Sequence, residues 1–267
     1  YQLAVAVENL AQALLMTGDW DAAGAELAQA ADADGLAGFD FLACCRAWLA
    51  ALRGEVPAAQ AILAGLGDLR ASDDPQDQAL IAVAEAFTGA AGRQPAAALR
   101  HARAALDHAA ALGIGHEYLR WAWPLAARAA HDLADAATTR ELLALLDSCP
   151  PGRLAPMQRA ERELARARLA ARDGDPGAVA FTVAIAGLRQ HSTPYHLAHG
   201  LLDHAGYLLR GGDPDAAAIG EARDIAQRLG CQPLLDRAAD LSPAEPQIRT
   251  PMVTAPGPEE SAVVRDG

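Results

Sequence analysis

The stretch STPYHLAHGLLDHAGYLL holds the densest set of chemically capable side chains in this chain: His196, His199, Asp203 and His204. On a helix turning about 100° per residue, His196, His199 and Asp203 fall within about 60° of one another. Leu197, Leu201, Ala205, Leu208 and Leu209 form an apolar stripe on roughly the opposite side. Two imidazoles and a carboxylate could hold a divalent metal. No His-Glu-x-x-His arrangement or further ligand run accompanies them, so no metal is assigned, and the face is read as lining a groove or meeting a neighbouring helix. A second cluster is Tyr118, Arg120, Trp121 and Trp123, the aromatic–arginine combination that anchors binding surfaces and that also fills helical cores. The candidate partner-binding residues are therefore Tyr118, Arg120, Trp121, Tyr195, His196, His199 and Asp203. His101, His108, His116 and His131 are scattered singly and suggest surface or core-edge positions.

Other chemistries find less support. All 22 basic residues are arginine, which removes Schiff-base and phosphate-loop lysine chemistry. The run Asp73-Asp74-Pro75-Gln76-Asp77 has the spelling Asp-Asp-x-x-Asp, with which the all-α terpene synthases hold magnesium and a diphosphate. Here the aspartates precede a proline at a helix start, where carboxylates cap free amides. Capping is the expected role, and a terpene-synthase-like enzyme using Asp73, Asp74 and Asp77 is the remote alternative. No Ser-His-Asp elbow or glycine-rich phosphate loop appears, so the chain is expected to have no catalytic residues and to bind no cofactor. Cys44, Cys45, Cys149 and Cys231 lack Cys-x-x-Cys spacing and suit small buried hydrophobes in a reducing compartment. A net charge of −12 argues against direct nucleic-acid binding. Arg159, Arg162, Arg166, Arg168 and Arg172, interleaved with Glu161 and Glu163, are expected to form a solvated, paired helix face.

The elements that position these residues follow a beat. A glycine–acid type turn before an alanine-rich helix recurs at Gly18-Asp19, Gly54-Glu55, Gly92-Arg93, Asp132-Leu133 (degenerate), Gly174-Asp175 and Gly212-Asp213. A spacing of about 36 to 42 residues is the signature of stacked helical hairpins of the tetratricopeptide kind. Alanine supplies 67 of the 267 residues, which favours helix and close helix approach. The predicted fold is an all-α, right-handed solenoid of about six tetratricopeptide-like hairpins with a long concave surface. The hairpins are placed at roughly 2–34, 38–67, 75–112, 116–148, 156–190 and 194–229, with a capping helix near 233–241. Leu10, Ala11, Leu14, Ala23, Leu27 and Ala30 are the packing positions of the first. Asp74-Pro75 and Thr193-Pro194 read as N-cap plus first-turn proline. These assignments divide the chain into repeats over 1–149, a proline-rich joint at 150–156, repeats and cap over 157–241, and a disordered proline-rich tail over 242–267. The joint is expected to let the last two hairpins swing.

The chain opens at Tyr1 already inside a periodic helix, which suggests a cut from something longer. No signal segment and no apolar stretch of about 18 residues appears, so a cytoplasmic location is expected. The segments STPYHLAHGLLDHAGYLLRGGDPDAA (192–217) and AIGEARDIAQRLGCQPLLDRAADL (218–241) resemble the C-terminal repeats of large bacterial signalling proteins. Those proteins join a class III adenylate/guanylate cyclase domain, or a helix-turn-helix domain, to an AAA/STAND ATPase followed by tetratricopeptide-like repeats. The resemblance is specific over about the last 50 residues of that region and architectural before it. It implies a non-catalytic sensor or scaffold arm that binds a protein partner, its own upstream ATPase domain or a small inducer, with ATP and magnesium confined to upstream domains. It carries over no catalytic residue. A stand-alone tetratricopeptide-like interaction module is the alternative, and neither reading involves a membrane.

Overall fold

The computed structural model describes residues 1–33, 35–36, 39–150, 152–174 and 178–242. The expected disorder of the tail therefore falls, beyond Ser242, outside the described residues. Among those residues the structure is helical, with no strand. The helices are α1 (Gln2–Thr17), α2 (Trp20–Asp32), α3 (Asp40–Arg53), α4 (Val56–Ala64), α5 (Gly67–Ala71), α6 (Pro75–Ala91), α7 (Pro95–Leu106) and α8 (Ala109–Leu112). They continue as α9 (Glu117–Asp132), α10 (Ala136–Asp147), α11 (Pro156–Asp173), α12 (Ala178–His191), α13 (Pro194–Arg210), α14 (Ala216–Leu229) and α15 (Gln232–Leu241). Successive partners pack as hairpins: α1 on α2, α3 on α4, α6 on α7, α9 on α10, α11 on α12 and α13 on α14. The result is an all-α hairpin solenoid.

The turns show why this sequence breaks where it does. After α1 and α3 the chain enters the left-handed region at Gly18 (φ 89°) and Gly54 (φ 90°). The next amide then reaches back into the finished helix, Asp19 N to Leu14 O and Glu55 N to Ala50 O, each at 2.9 Å. At the third and fourth turns a side chain occupies that position, Arg93 (φ 54°) and Ala134 (φ 57°). The same reach-back bonds form there, Gln94 N to Gly89 O and Asp135 N to Ala130 O, both 2.8 Å. The sequence beat at Gly92 thus falls one residue before the left-handed position, and the degenerate turn closes without glycine. Aspartates then cap the second helix of several hairpins: Asp19 accepts from Ala22 N (3.3 Å), Asp135 from Thr138 N (3.0 Å) and Asp215 from Ala218 N (2.9 Å).

The stack curls until its ends meet. A Cβ added at Gly18 would lie 3.0 Å from Pro194 Cγ at the start of α13, and one at Gly54 would lie 2.9 Å from Pro233 Cδ in α15. At the next turn Arg93 faces Asp236 and Asp240 of α15 at 3.8 and 3.7 Å. Gly18 and Gly54 are therefore held to glycine twice over, by φ and by the approach of another helix. The expected long open groove is closed by the molecule's own last helices, and one apolar core runs from α1 to α15.

One packing expectation meets a different structure. Ala11, Ala23, Leu27 and Ala30 are buried as expected, but Leu10 is 44% exposed, on a face of α1 that no helix among the described residues covers. Beside the expected joint, Gln158 Nε2 donates to Ile114 O (2.7 Å), Ala155 N donates to Gln158 Oε1 (3.1 Å), and Leu154 is buried. Among the described residues no helix is long and apolar enough to cross a membrane.

Candidate functional site

The inner face is built mainly by α9, α11 and α13, with α3, α6 and α15 completing the wall. Its apolar half is an aromatic cluster drawn from separate hairpins. Trp121 stands edge-on to Trp48 (5.3 Å between centroids) and to Phe87 (5.8 Å), and Tyr195 lies 5.9 Å from Trp20 and 6.1 Å from Phe87. Such offset and edge-to-face pairs suit the aromatic quadrupole.

The polar half begins where α13 starts. Thr193 caps this helix by accepting from His196 N (3.2 Å), and its hydroxyl lies 2.6 Å from His196 Nδ1. One turn on, Arg237 Nη1 lies 3.0 Å from His199 Nδ1. A guanidinium can only donate, so Nδ1 accepts and the ring proton of neutral His199 sits on Nε2. Burial, with the Arg128 guanidinium alongside, drives both imidazoles well below their ordinary pKa, so both are neutral near pH 7. Another turn on, Asp203 accepts from Arg168 Nε (2.6 Å) and from Arg237. Burial opposes its ionisation, but these two guanidiniums overcome that cost and hold its carboxyl well below the usual range. Glu161 is buried with Oε1 unpartnered, and burial outweighs the nearby Arg128 and Arg168 to push its pKa up to about 7.

Arg128 is the odd member. It is 7% exposed, its Nη1 donates to Tyr195 OH (3.2 Å), and its carbon Cζ lies 5.4 Å from the Tyr195 ring centroid. Nε and Nη2 have no partner, and among the described residues no carboxylate forms an ion pair with it. It lines a cavity of about 360 Å³ together with Phe87, Leu125, Tyr195, His199 and Arg237.

The structure thus gathers Trp121, Tyr195, His196, His199 and Asp203 from the sequence-derived set on one buried face. Tyr118 turns elsewhere: its hydroxyl donates to the buried Glu8 of α1 (2.5 Å). Arg120 is half-buried, with Nε unpartnered. The solvated-face reading of the arginine run holds for Arg162 and Arg166, which pair with Glu163 and with Asp147 of α10. It fails for Glu161 and Arg168, which are seven residues apart and share the opposite, buried face of α11. Sequence reasoning also passed over Arg128, which follows Trp121 by seven residues along the same stripe. Asp74 caps α6 by accepting from Gln76 N (2.8 Å), and Asp77 accepts from Ser72 Oγ (2.6 Å). Among the described residues no group of histidine, cysteine or acidic side chains is arranged to hold a metal. Cys44, Cys45 and Cys231 are buried, and burial pushes the Cys231 thiol up to about 12, so it packs as a small hydrophobe.

No family model, curated protein or solved structure matches this chain.

Proposed function

We propose that this chain is a non-catalytic helical-repeat binding module, a stack of six tetratricopeptide-like hairpins that senses a protein partner or small inducer on its inner face. The observation that carries the reading is the closure of the stack. The concentrated binding chemistry lies inside; α15 holds it through Arg237 on the buried Asp203, while its outer edge meets Arg93 in a seam of exposed ion pairs, with Arg93 71% exposed. Ion pairs of that kind stabilise by little. Gln158 anchors the start of α11 to Ile114, and the seam is where this reading puts the exchange between an open and a closed arrangement.

A second reading makes this module the sensor arm of a cytoplasmic signalling ATPase that governs a nucleotide cyclase or a DNA-binding domain. Its support is that the segment resembling those proteins, 192–241, contains the closing helices α13, α14 and α15. The coding sequence upstream of the Tyr1 codon separates the readings. A frame running into a phosphate loop with its lysine favours the arm, and a nearby start codon favours the free-standing module.

The seam is tested with Arg93→Gly, which suits the left-handed turn better than arginine and removes only the side chain facing Asp236 and Asp240. Hydrogen exchange of the α15 amides is expected to accelerate about two- to fivefold while α9 stays protected. Unchanged exchange in α15 would sink the opening mechanism.

A further inference from the structure

The cavity beside Arg128 has a wall whose unmet groups are all of one kind. Arg128 and His199 are each more than nine-tenths buried, and both line it. Among the described residues Arg128 finds no partner for Nε and Nη2, and His199 none for Nε2. Every one of these atoms is a donor, because guanidinium nitrogens only donate and the contact from Arg237 places the His199 proton on Nε2. A buried donor without an acceptor carries a desolvation cost of about 1–3 kcal/mol, and more when it is charged. Native interiors rarely tolerate several such donors side by side.

The neighbouring charges do not meet this demand. Asp203 is engaged by Arg168 and Arg237. Glu161, with its raised pKa, holds its proton below about pH 7. Among the described residues Arg128 forms no ion pair, although Asp132 stands on the same cavity wall. The rest of the lining is mixed: Phe87, Leu125 and Ala129 give it an apolar part, and Asp132, Asp236 and Asp240 bring carboxylates to it, with Arg93 and Arg237 beside them. At about 360 Å³ the space is at the small end of ligand sites, which run about 300–1,000 Å³.

We infer that this cavity binds a small carboxylic acid with an apolar body, its carboxylate taken by Arg128 and His199 and its body by Phe87 and Leu125. The inference rests on the reading of the chain as a binding module and names the ligand class of its inner face. An Arg–carboxylate pair in a dry site is short and strong, and the planar guanidinium presents its two free nitrogens to the two carboxylate oxygens. Uncharged molecules of the same shape would fill the apolar space and leave the donors unmet, so discrimination by charge is the expected signature. The lining also reaches Arg237 and α15, so occupancy would bear on the seam.

The test uses the full chain with octanoate and 3-phenylpropanoate as probes, and octan-1-ol and acetate as controls, at pH 6, where Glu161 keeps its proton and the probe acids are ionised. Octanoate or 3-phenylpropanoate at a hundredfold excess over its Kd is expected to raise Tm by about 5–10 °C, with octanol and acetate at the same concentration giving no shift. Arg128→Met is expected to melt no lower than the wild type, because it removes a buried unpaired charge, and to lose the octanoate response. A purely structural arginine would instead show a lower Tm in that variant, with octanoate inert toward the wild type. Equal shifts from octanoate and octanol would overturn the acid assignment, and so would no shift from either acid. Arg93→Gly scores the seam by hydrogen exchange with no ligand added, so the ligand class and the module reading fail separately.

Discussion

Among the described residues two aspartates each meet two arginines, and they sit in opposite environments. Asp147 receives Arg162 (3.2 Å) and Arg166 (2.6 Å) on the outside, with its side chain 42% exposed. Asp203 receives Arg168 and Arg237 on the inside, with its side chain 3% exposed. Three of the four arginines come from α11, and only the helix face on which they stand separates them. Outside, water and salt screen the attraction, and an isolated pair contributes about 0–1 kcal/mol. Inside, each charge has lost its hydration, so the cluster is held together by the cost of breaking it. The same residue types thus make a replaceable surface feature on one side of a helix and a structural keystone on the other.

The sharpest way to break this contrast is Asp203→Ala. It leaves Arg168 buried without its partner and is expected to destabilise the fold by about 3–5 kcal/mol in urea denaturation. A loss under about 1 kcal/mol would mean that water enters the inner face.

A smaller effect comes from Glu161. Its folded pKa, about 7, lies above the ordinary value of 4.5. Between those values the folded state holds a proton that the unfolded state has released, so stability falls as pH rises through that window. The contribution is fully present below about pH 4.5 and lost above about pH 7, with an upper bound of about 3 kcal/mol. Glu161→Gln is expected to remove this slope, so unfolding free energies of wild type and variant should diverge between pH 5 and pH 8. Parallel curves would place a charged, partnered Glu161 in the core.

The smallest effect belongs outside. Asp147→Ala is expected to change stability by less than about 1 kcal/mol, and 0.5 M salt should erase the difference. A larger, salt-resistant loss would erase the distinction between the two faces of α11.

How far these features could be read in advance follows the same division. The polar face of α13 was legible, because His196, His199 and Asp203 share one helical face by spacing alone. Arg128 and Arg168 were not, although each lies seven residues beyond Trp121 and Glu161 on a stripe that turned out to be buried. A charged residue between alanines reads as solvent-facing unless something shows what stands across from it. Trp48, Phe87 and Trp121 come from α3, α6 and α9, so no local window contains the cluster they form.

Helix content, turn positions and caps were determined by the sequence itself, since each depends on residues within one or two turns of one another. Alanine-rich periodicity, Asp74-Pro75, Thr193-Pro194 and Gly18 act within that range. The tertiary structure alone decided that the stack closes, that Gly18 and Gly54 also serve as landing sites for α13 and α15, and that Arg128 is sealed inside. The physical reason is that curvature accumulates from small rotations between successive hairpins. Those rotations are set by how side chains on different helices interdigitate, and the hydrophobic period records which face is buried without recording the angle at which the next hairpin meets it.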